Sequence, residues 1–185
     1  MSSTLTAVEQ KALEFADASP ETSRTRTVTW QDPVPTAAAG MEMAGLEYMQ
    51  AVTAGELPPP PIAVVMRFGP IEVEEGRAVF SGEPGEDFCN PIGVVHGGYA
   101  ATLLDSALGC SVHTTLAKGE AYTSLGLEAK YVRPITRDTG EVRCEANVLH
   151  RGRRQATAEA QLTDAATGKL LAHGTTTCMV MSLTP

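Results

Sequence analysis

The chain has 185 residues, 43% hydrophobic and 19% charged, which suits one soluble globular domain plus an extension, with length enough for a real core. A formal net charge of −8 argues against nonspecific nucleic-acid binding, and the acidity is one-sided: residues 1–90 carry 14 acids against 5 Lys/Arg, residues 91–185 carry 8 against 9. The start Met1–Thr6 lacks a basic, apolar secretory signal, no run is long and uncharged enough to span a bilayer, and Cys89, Cys110, Cys144 and Cys178 lack paired metal-type spacing, so free thiols in a reducing cytoplasm are expected.

Residues 5–17 have weak helical spacing through Leu5, Val8, Ala12, Phe15 and Ala16, broken at Ser19-Pro20. Residues 18–37, rich in Thr, Ser and Pro, alternate only from Arg26 to Trp30 and read as a surface arm. Met41 to Val52 places Met41, Leu46, Met49 and Val52 on one side of a helix that Gly55 ends, and Pro58–Pro61 reads as a stiff extended spacer. Strands are predicted over Val64–Val73 and Arg77–Ser81 around the turn Glu74-Glu75-Gly76, with a loop at Glu83–Asp87.

The run from Gly98 to Leu116 is apolar or small on every side, which predicts a long buried helix closed by Lys118-Gly119. Its one carboxylate, Asp105, needs a partner, a hydrogen bond or a use. Thr123, Leu125, Leu127, Ala129 and Tyr131 share one face of the next strand, which Arg133-Pro134 closes. Val142, Cys144, Ala146 and Val148 alternate with outward residues, as do Ala156, Ala158, Ala160 and Leu162; Leu170–Met181 is the last strand. Hairpin-length connections favour antiparallel pairing, so the expected class is α+β: about six antiparallel strands covered by the central helix. Residues 1–57 read as an N-terminal arm with helices, and residues 58–185 as the main domain.

Asn90, Gly93, His96-Gly97-Gly98 and Asp105, followed by Tyr131-Val132-Arg133-Pro134, resemble the hot-dog-fold acyl-CoA thioesterases of the phenylacetate-pathway (PaaI) type. The resemblance covers about residues 60–182 and leaves residues 1–40 outside. It implies a sheet wrapped around one long helix, a homodimer often paired into a homotetramer, and active sites at the dimer interface with residues from both subunits.

The chemistry can be argued from the residues themselves. Gly97 and Gly98 open the helix, so their amides are among its unpaired donors, and glycine lets a carbonyl approach the backbone closely. Together they make an oxyanion hole, unless they serve only a tight turn. Asp105 lies two turns beyond Gly98, ~10 Å along the axis, and cannot readily attack a carbonyl held by Gly97 of its own chain. Supplied by a partner, it would act as general base for water or as nucleophile, the base being preferred; a buried Asp paired for structure is the alternative.

In the family's pattern Asn90 helps orient the water or the carbonyl, although an Asx-turn before Pro91 would also explain it. His96 shapes the loop near the thioester or is a satisfied core histidine. Ser124 matches a position where some relatives carry a hydroxyl, yet strict alternation puts it opposite Leu125 and Leu127. If coenzyme A is the carrier, its phosphates call for cations, and Arg151, Arg153, Arg154 and Arg133 are candidates; a solvated hairpin tip is the other reading of the first three. His113, His150 and His173 lack acidic or thiol neighbours at ligand spacing, so no metal is expected, and no Gly-x-Ser-x-Gly elbow is present. The expected activity is acyl-CoA hydrolysis with no cofactor beyond the coenzyme A of the substrate. A noncatalytic acyl-CoA or lipid-binding module is the second class. A hot-dog dehydratase is the third, with His96 its only histidine candidate. Met41, Tyr48, Met49 and Tyr99 are candidates for an acyl pocket, although methionines at helical spacing are more often ordinary core.

Overall fold

The computed structural model describes residues 6–18 and 21–183, so Leu5 and the Ser19-Pro20 break lie outside the described residues. Helix α1 (Ala7–Ala18) opens on a reciprocal cap: Glu9 N–H donates to Thr6 Oγ1 at 3.2 Å, and Thr6 N–H donates to Glu9 Oε2 at 2.7 Å. Val8 and Leu13 are exposed, so local signals rather than packing make this helix.

The arm is not wholly irregular. Helix α2 (Pro33–Met41) starts where Asp32 accepts the Val34 N–H at 3.0 Å, with proline in the first turn and an alanine run behind it. Small residues give it no amphipathic period, which is why the pattern hid it. The helix expected from Met41 is therefore two helices, broken at 42–44, and only α3 (Gly45–Thr53) buries Met49. Its start docks against the end of the central helix: Gly45 N–H donates to Leu116 O at 2.9 Å, and a Cβ at Gly45 would overlap the His113 carbonyl. The proline run is not only a spacer, since Pro61 is the first residue of α4 (Pro61–Met66). Residues 64–66, expected in a strand, are thus helical, and Arg67 at φ 54° turns the chain into β1.

Six strands follow the expected order: β1 (Phe68–Glu74), β2 (Arg77–Gly82), then α5 (Gly97–His113), then β3 (Glu120–Tyr131), β4 (Val142–Arg151), β5 (Gln155–Asp164) and β6 (Leu170–Ser182). They form one antiparallel sheet, β1-β2-β4-β5-β6-β3, and α5 packs against every strand. Small side chains on the inner face (Ala78, Ala146, Ala158 and Ala160) let the helix approach. Leu103, Leu104, Leu108 and Val112 of α5 are fully buried, each such side chain contributing about 1.5–3 kcal/mol.

Helix α5 ends at His113, five residues before the expected Lys118-Gly119 stop. The N–H groups of Thr115 and Leu116 bond back only three residues, and the Thr114 and Thr115 hydroxyls bond to the Ser111 and Val112 carbonyls, which tightens the last turn. Gly119, at φ 83°, serves the turn into β3 instead. Nor is α5 buried all round: Thr102, Asp105, Ser106, Cys110 and His113 form a face that the monomer leaves open. No helix among the described residues is long and apolar enough to cross a membrane.

Candidate active site

The open face of α5 is one wall of a cavity of about 460 Å³. Met41, Tyr48 and Met49 of α2 and α3 form the opposite wall, and Tyr122 and Ser124 of β3 form the side. Asp105 is exposed into this space and makes no hydrogen bond or ion pair with any described residue. The other lining carboxylate, Glu120, is paired with Arg151 at 2.7 Å. Asp105 is therefore not a structural ion pair; it is an uncommitted carboxylate at a mostly apolar cavity.

The cavity's sulfur does not compete with it as a nucleophile. Burial, helped by the Asp105 charge, pushes the Cys110 thiol up to about 12, so it is protonated near neutrality. Further along the cavity Tyr48 stacks on His113 at 5.2 Å, and Tyr122 meets the same imidazole edge-on at 5.7 Å. Burial lowers the His113 pKa and keeps that ring neutral. Tyr99 is not part of this wall but lies buried beside Phe88 at 5.0 Å, its hydroxyl without a partner.

Ser124 reaches the cavity because β3 does not alternate strictly. Its pairing with β6 slips between Ser124 and Gly126, leaving Leu125 as an extra residue, 62% exposed. Before the bulge Tyr122 and Ser124 face inward, opposite the buried Val180 and Cys178; after it the inward phase passes to Leu127, opposite the buried Thr176. The single face expected from Thr123 to Tyr131 is thereby split.

The other sequence candidates gather at the start of α5. His96 is its N-cap, and Gly98 N–H donates to His96 Nδ1 at 2.8 Å. That bond leaves the ring proton of neutral His96 on Nε2 and occupies the Gly98 amide. Gly97 N–H has no acceptor among the described residues. It lies in a recess of about 200 Å³ with His96, Tyr131 and Arg133, so close under Tyr131 that a Cβ at Gly97 would sit 3.2 Å from the ring. Asn90 Oδ1 accepts from the N–H groups of Ile92 (3.1 Å) and Val94 (3.2 Å), the Asx-turn geometry; it shapes the loop and lines neither space. Val95 N–H to Ile135 O at 3.0 Å and His96 N–H to Phe88 O at 2.7 Å clamp the same loop. Asp105 and Gly97 share no cavity.

The arginines divide. Arg133 donates to Leu170 O at 2.7 Å beside the Gly97 recess. Arg151 is half-buried, bonded to Glu120 and to the Gly152 carbonyl, and has no free charge to offer. Arg153 and Arg154 stand exposed at the β4–β5 turn, unpaired among the described residues. The sequence reading missed the rest of the cavity face, Ser106, Cys110 and Tyr122. The steps 102, 105/106, 110, 113 were the signal for the helical part, masked because Cys and Ala count as apolar.

One long helix wrapped by six antiparallel strands, with His-Gly-Gly at its start and an acid two turns on, defines a hot-dog protein of the thioesterase class. The thioesterase superfamily pattern matches residues 92–171. Human acyl-coenzyme A thioesterase 13 is 31% identical over 105 residues, 56% of this chain and 73% of that protein. The structure of a phenylacetic acid degradation-related protein from Ralstonia eutropha JMP134 superposes with a TM-score of 0.65 at 30% identity, over 71% of this chain and 98% of the other. A variant of the phenylacetic acid degradation protein PaaI from Thermus thermophilus does so with a TM-score of 0.58 at 28% identity, over 65% and 98%. The chain belongs to the thioesterase superfamily, and its class of chemistry is thioester hydrolysis.

Proposed function

We propose that the chain hydrolyses acyl-CoA thioesters at composite sites, each combining Gly97 of one copy with Asp105 of another. The carrying observation is the Asp105 carboxylate, unpaired among the described residues, in the wall of an otherwise largely apolar cavity. In this reading the Gly97 N–H, at the positive end of α5, receives the thioester carbonyl oxygen, and Tyr131 closes over it. Asp105 of the facing copy takes a proton from water as the water oxygen bonds to the carbonyl carbon. The C–S bond then breaks, the thiolate of coenzyme A leaves and is protonated, and the free acid remains. Ser124 is assigned to the water's surroundings, Asn90 and His96 to holding the loop. The acyl group lies along α5 toward the Tyr48–His113 stack, and the reaction calls on no metal or redox group.

A second copy has a place to bind. Strand β3 is a free sheet edge next to the Gly97 recess and exposes Leu125, Leu127 and Tyr131. A homodimer through this edge, paired into a homotetramer in a reducing cytoplasm, is the proposed assembly and compartment.

The test is hydrolysis of aromatic, short and long acyl-CoAs by the wild type and by Asp105→Asn. Turnover should fall about 10²–10⁴-fold in the variant with substrate binding kept. Near-normal turnover would remove Asp105 from the mechanism. Binding without hydrolysis by the wild type would make the chain an acyl-CoA-binding module.

A further inference from the structure

A second concave surface lies outside the reaction site. It is lined by Arg24, Arg26, Arg67, Arg137, Glu86 and Asp87 around about 590 Å³. Asp87 holds Arg67 at 2.6 Å and Arg26 at 3.1 Å, while Glu86 is approached by Arg24 at 3.4 Å and Arg137 at 3.7 Å. Four guanidiniums thus share two carboxylates, leaving a local excess of two positive charges.

The inner pair is preorganised. Arg26 and Arg67 lie over the Phe88 ring at 5.3 and 4.9 Å, and Arg67 Nε is buried with no hydrogen-bond partner among the described residues. The outer pair is more exposed: the Arg24 and Arg137 side chains are 69% and 60% exposed and their contacts to Glu86 are long, and Arg24 also donates to the Thr22 and Ser23 carbonyls at 3.0 and 3.2 Å. A strap built only to hold the arm would need no surplus charge.

Position identifies the ligand. The segment that lines this surface, Gly85 to Asp87, runs into Phe88, whose carbonyl holds His96, the residue before Gly97. That hydrogen bond ties the loop carrying the cations to the loop carrying Gly97. Arg24, Arg26 and Arg67 all precede the matched superfamily region.

We infer that the Arg24–Arg26–Arg67–Arg137 cavity binds the phosphates of the 3′-phosphorylated ADP portion of coenzyme A. The inference rests on the thioesterase reading above and adds the site where the substrate's charge is held.

The experiment measures calorimetric binding of adenosine 3′,5′-bisphosphate to the full chain, together with KM for an acyl-CoA and for the matching pantetheine thioester. In Arg24→Ala/Arg137→Ala, whose side chains are exposed and outside the core, bisphosphate binding should weaken at least tenfold. KM for acyl-CoA should rise about as much, KM for the pantetheine thioester should stay, and the salt dependence of binding should flatten. Unchanged bisphosphate binding, or equal effects on both thioesters, would overturn the inference. Loss of binding in Arg153→Ala/Arg154→Ala alone would overturn it too, by moving the phosphates to the β4–β5 turn. If neither thioester is hydrolysed yet bisphosphate binds through Arg24 and Arg137, the site stands and the hydrolase reading falls.

Discussion

Helix α5 offers a backbone amide at its start and a carboxylate in its middle, and the two are held very differently. The Gly97 end is pinned: Asn90 ties the loop through Ile92 and Val94, Phe88 and Ile135 hold His96 and Val95, and the His96 ring caps Gly98. The Asp105 carboxylate has no such support and faces a cavity with no cation bonded to it. The difference fits two kinds of work. An amide that receives developing charge acts best when it needs no rearrangement. A base must gain and lose a proton, and a strong cationic partner would hold it ionised and weaken it as a base. Because the two groups open into separate spaces, the proposed site calls for a second copy.

The largest effect should come from putting those halves on different subunits. Asp105→Asn and Gly97→Val should each be nearly inactive alone. Random mixing makes half the dimers mixed, each with one of two sites intact, so about a quarter of wild-type turnover should return. No recovery on co-expression, with mixed dimers verified by mass, would contradict the two-copy site. A smaller loss is expected from the interface. Leu125 is 62% exposed in the bulge of β3, so Leu125→Glu costs the monomer little packing. It should shift the chain toward monomer in sedimentation and lower turnover about tenfold or more with the circular dichroism unchanged. A dimer of wild-type affinity would place the contact elsewhere.

Much of this was legible where local chemistry and periodicity agree. The alternation of Cys144, Ala146 and of Ala156, Ala158, Ala160 is the inner face of the sheet, and the His-Gly-Gly start of α5 is where the sequence places it. What was hidden depends on contacts distant in sequence or on one inserted residue. The bulge at Leu125 reverses the phase of β3 and turns Ser124 toward the cavity, and its one local signal is Gly126 within the strand. Helix α2 is made by a cap and alanines rather than by an apolar stripe, so a moment-based reading passes over it. Gathering Arg24, Arg67 and Arg137 needs three segments more than 40 residues apart, and only the fold brings them together. The open face of α5 was hidden for a related reason: the helix is buried on the sheet side and open on the other, yet the residues around Asp105 on that face are Thr, Ser and Cys, too weakly polar to mark it.

The smallest effect concerns the far wall of the Asp105 cavity, and its sign is fixed by burial. His113 lies between Tyr48 and Tyr122, no ion pair supports its charge, and burial lowers its pKa below the ordinary 6.5. In the unfolded chain the ring takes a proton near that ordinary value; in the fold it does so only at lower pH. Between the two values the unfolded state binds more protons, so this residue's contribution to stability is full above about 6.5 and is lost as pH falls toward the folded value. Glu72 and Glu145, held down by hydrogen bonds from Arg77, lose their contributions below the ordinary carboxylate range, a separate and more acidic window. His113→Phe keeps a ring in the stack and removes the titration. Its melting temperature should therefore fall less than the wild type's as pH is lowered from 7 through the ordinary histidine value. Parallel curves across the upper window would mean that the fold leaves the titration of His113 unchanged, and a ring that protonates as readily as in water does not line an apolar acyl pocket along α5.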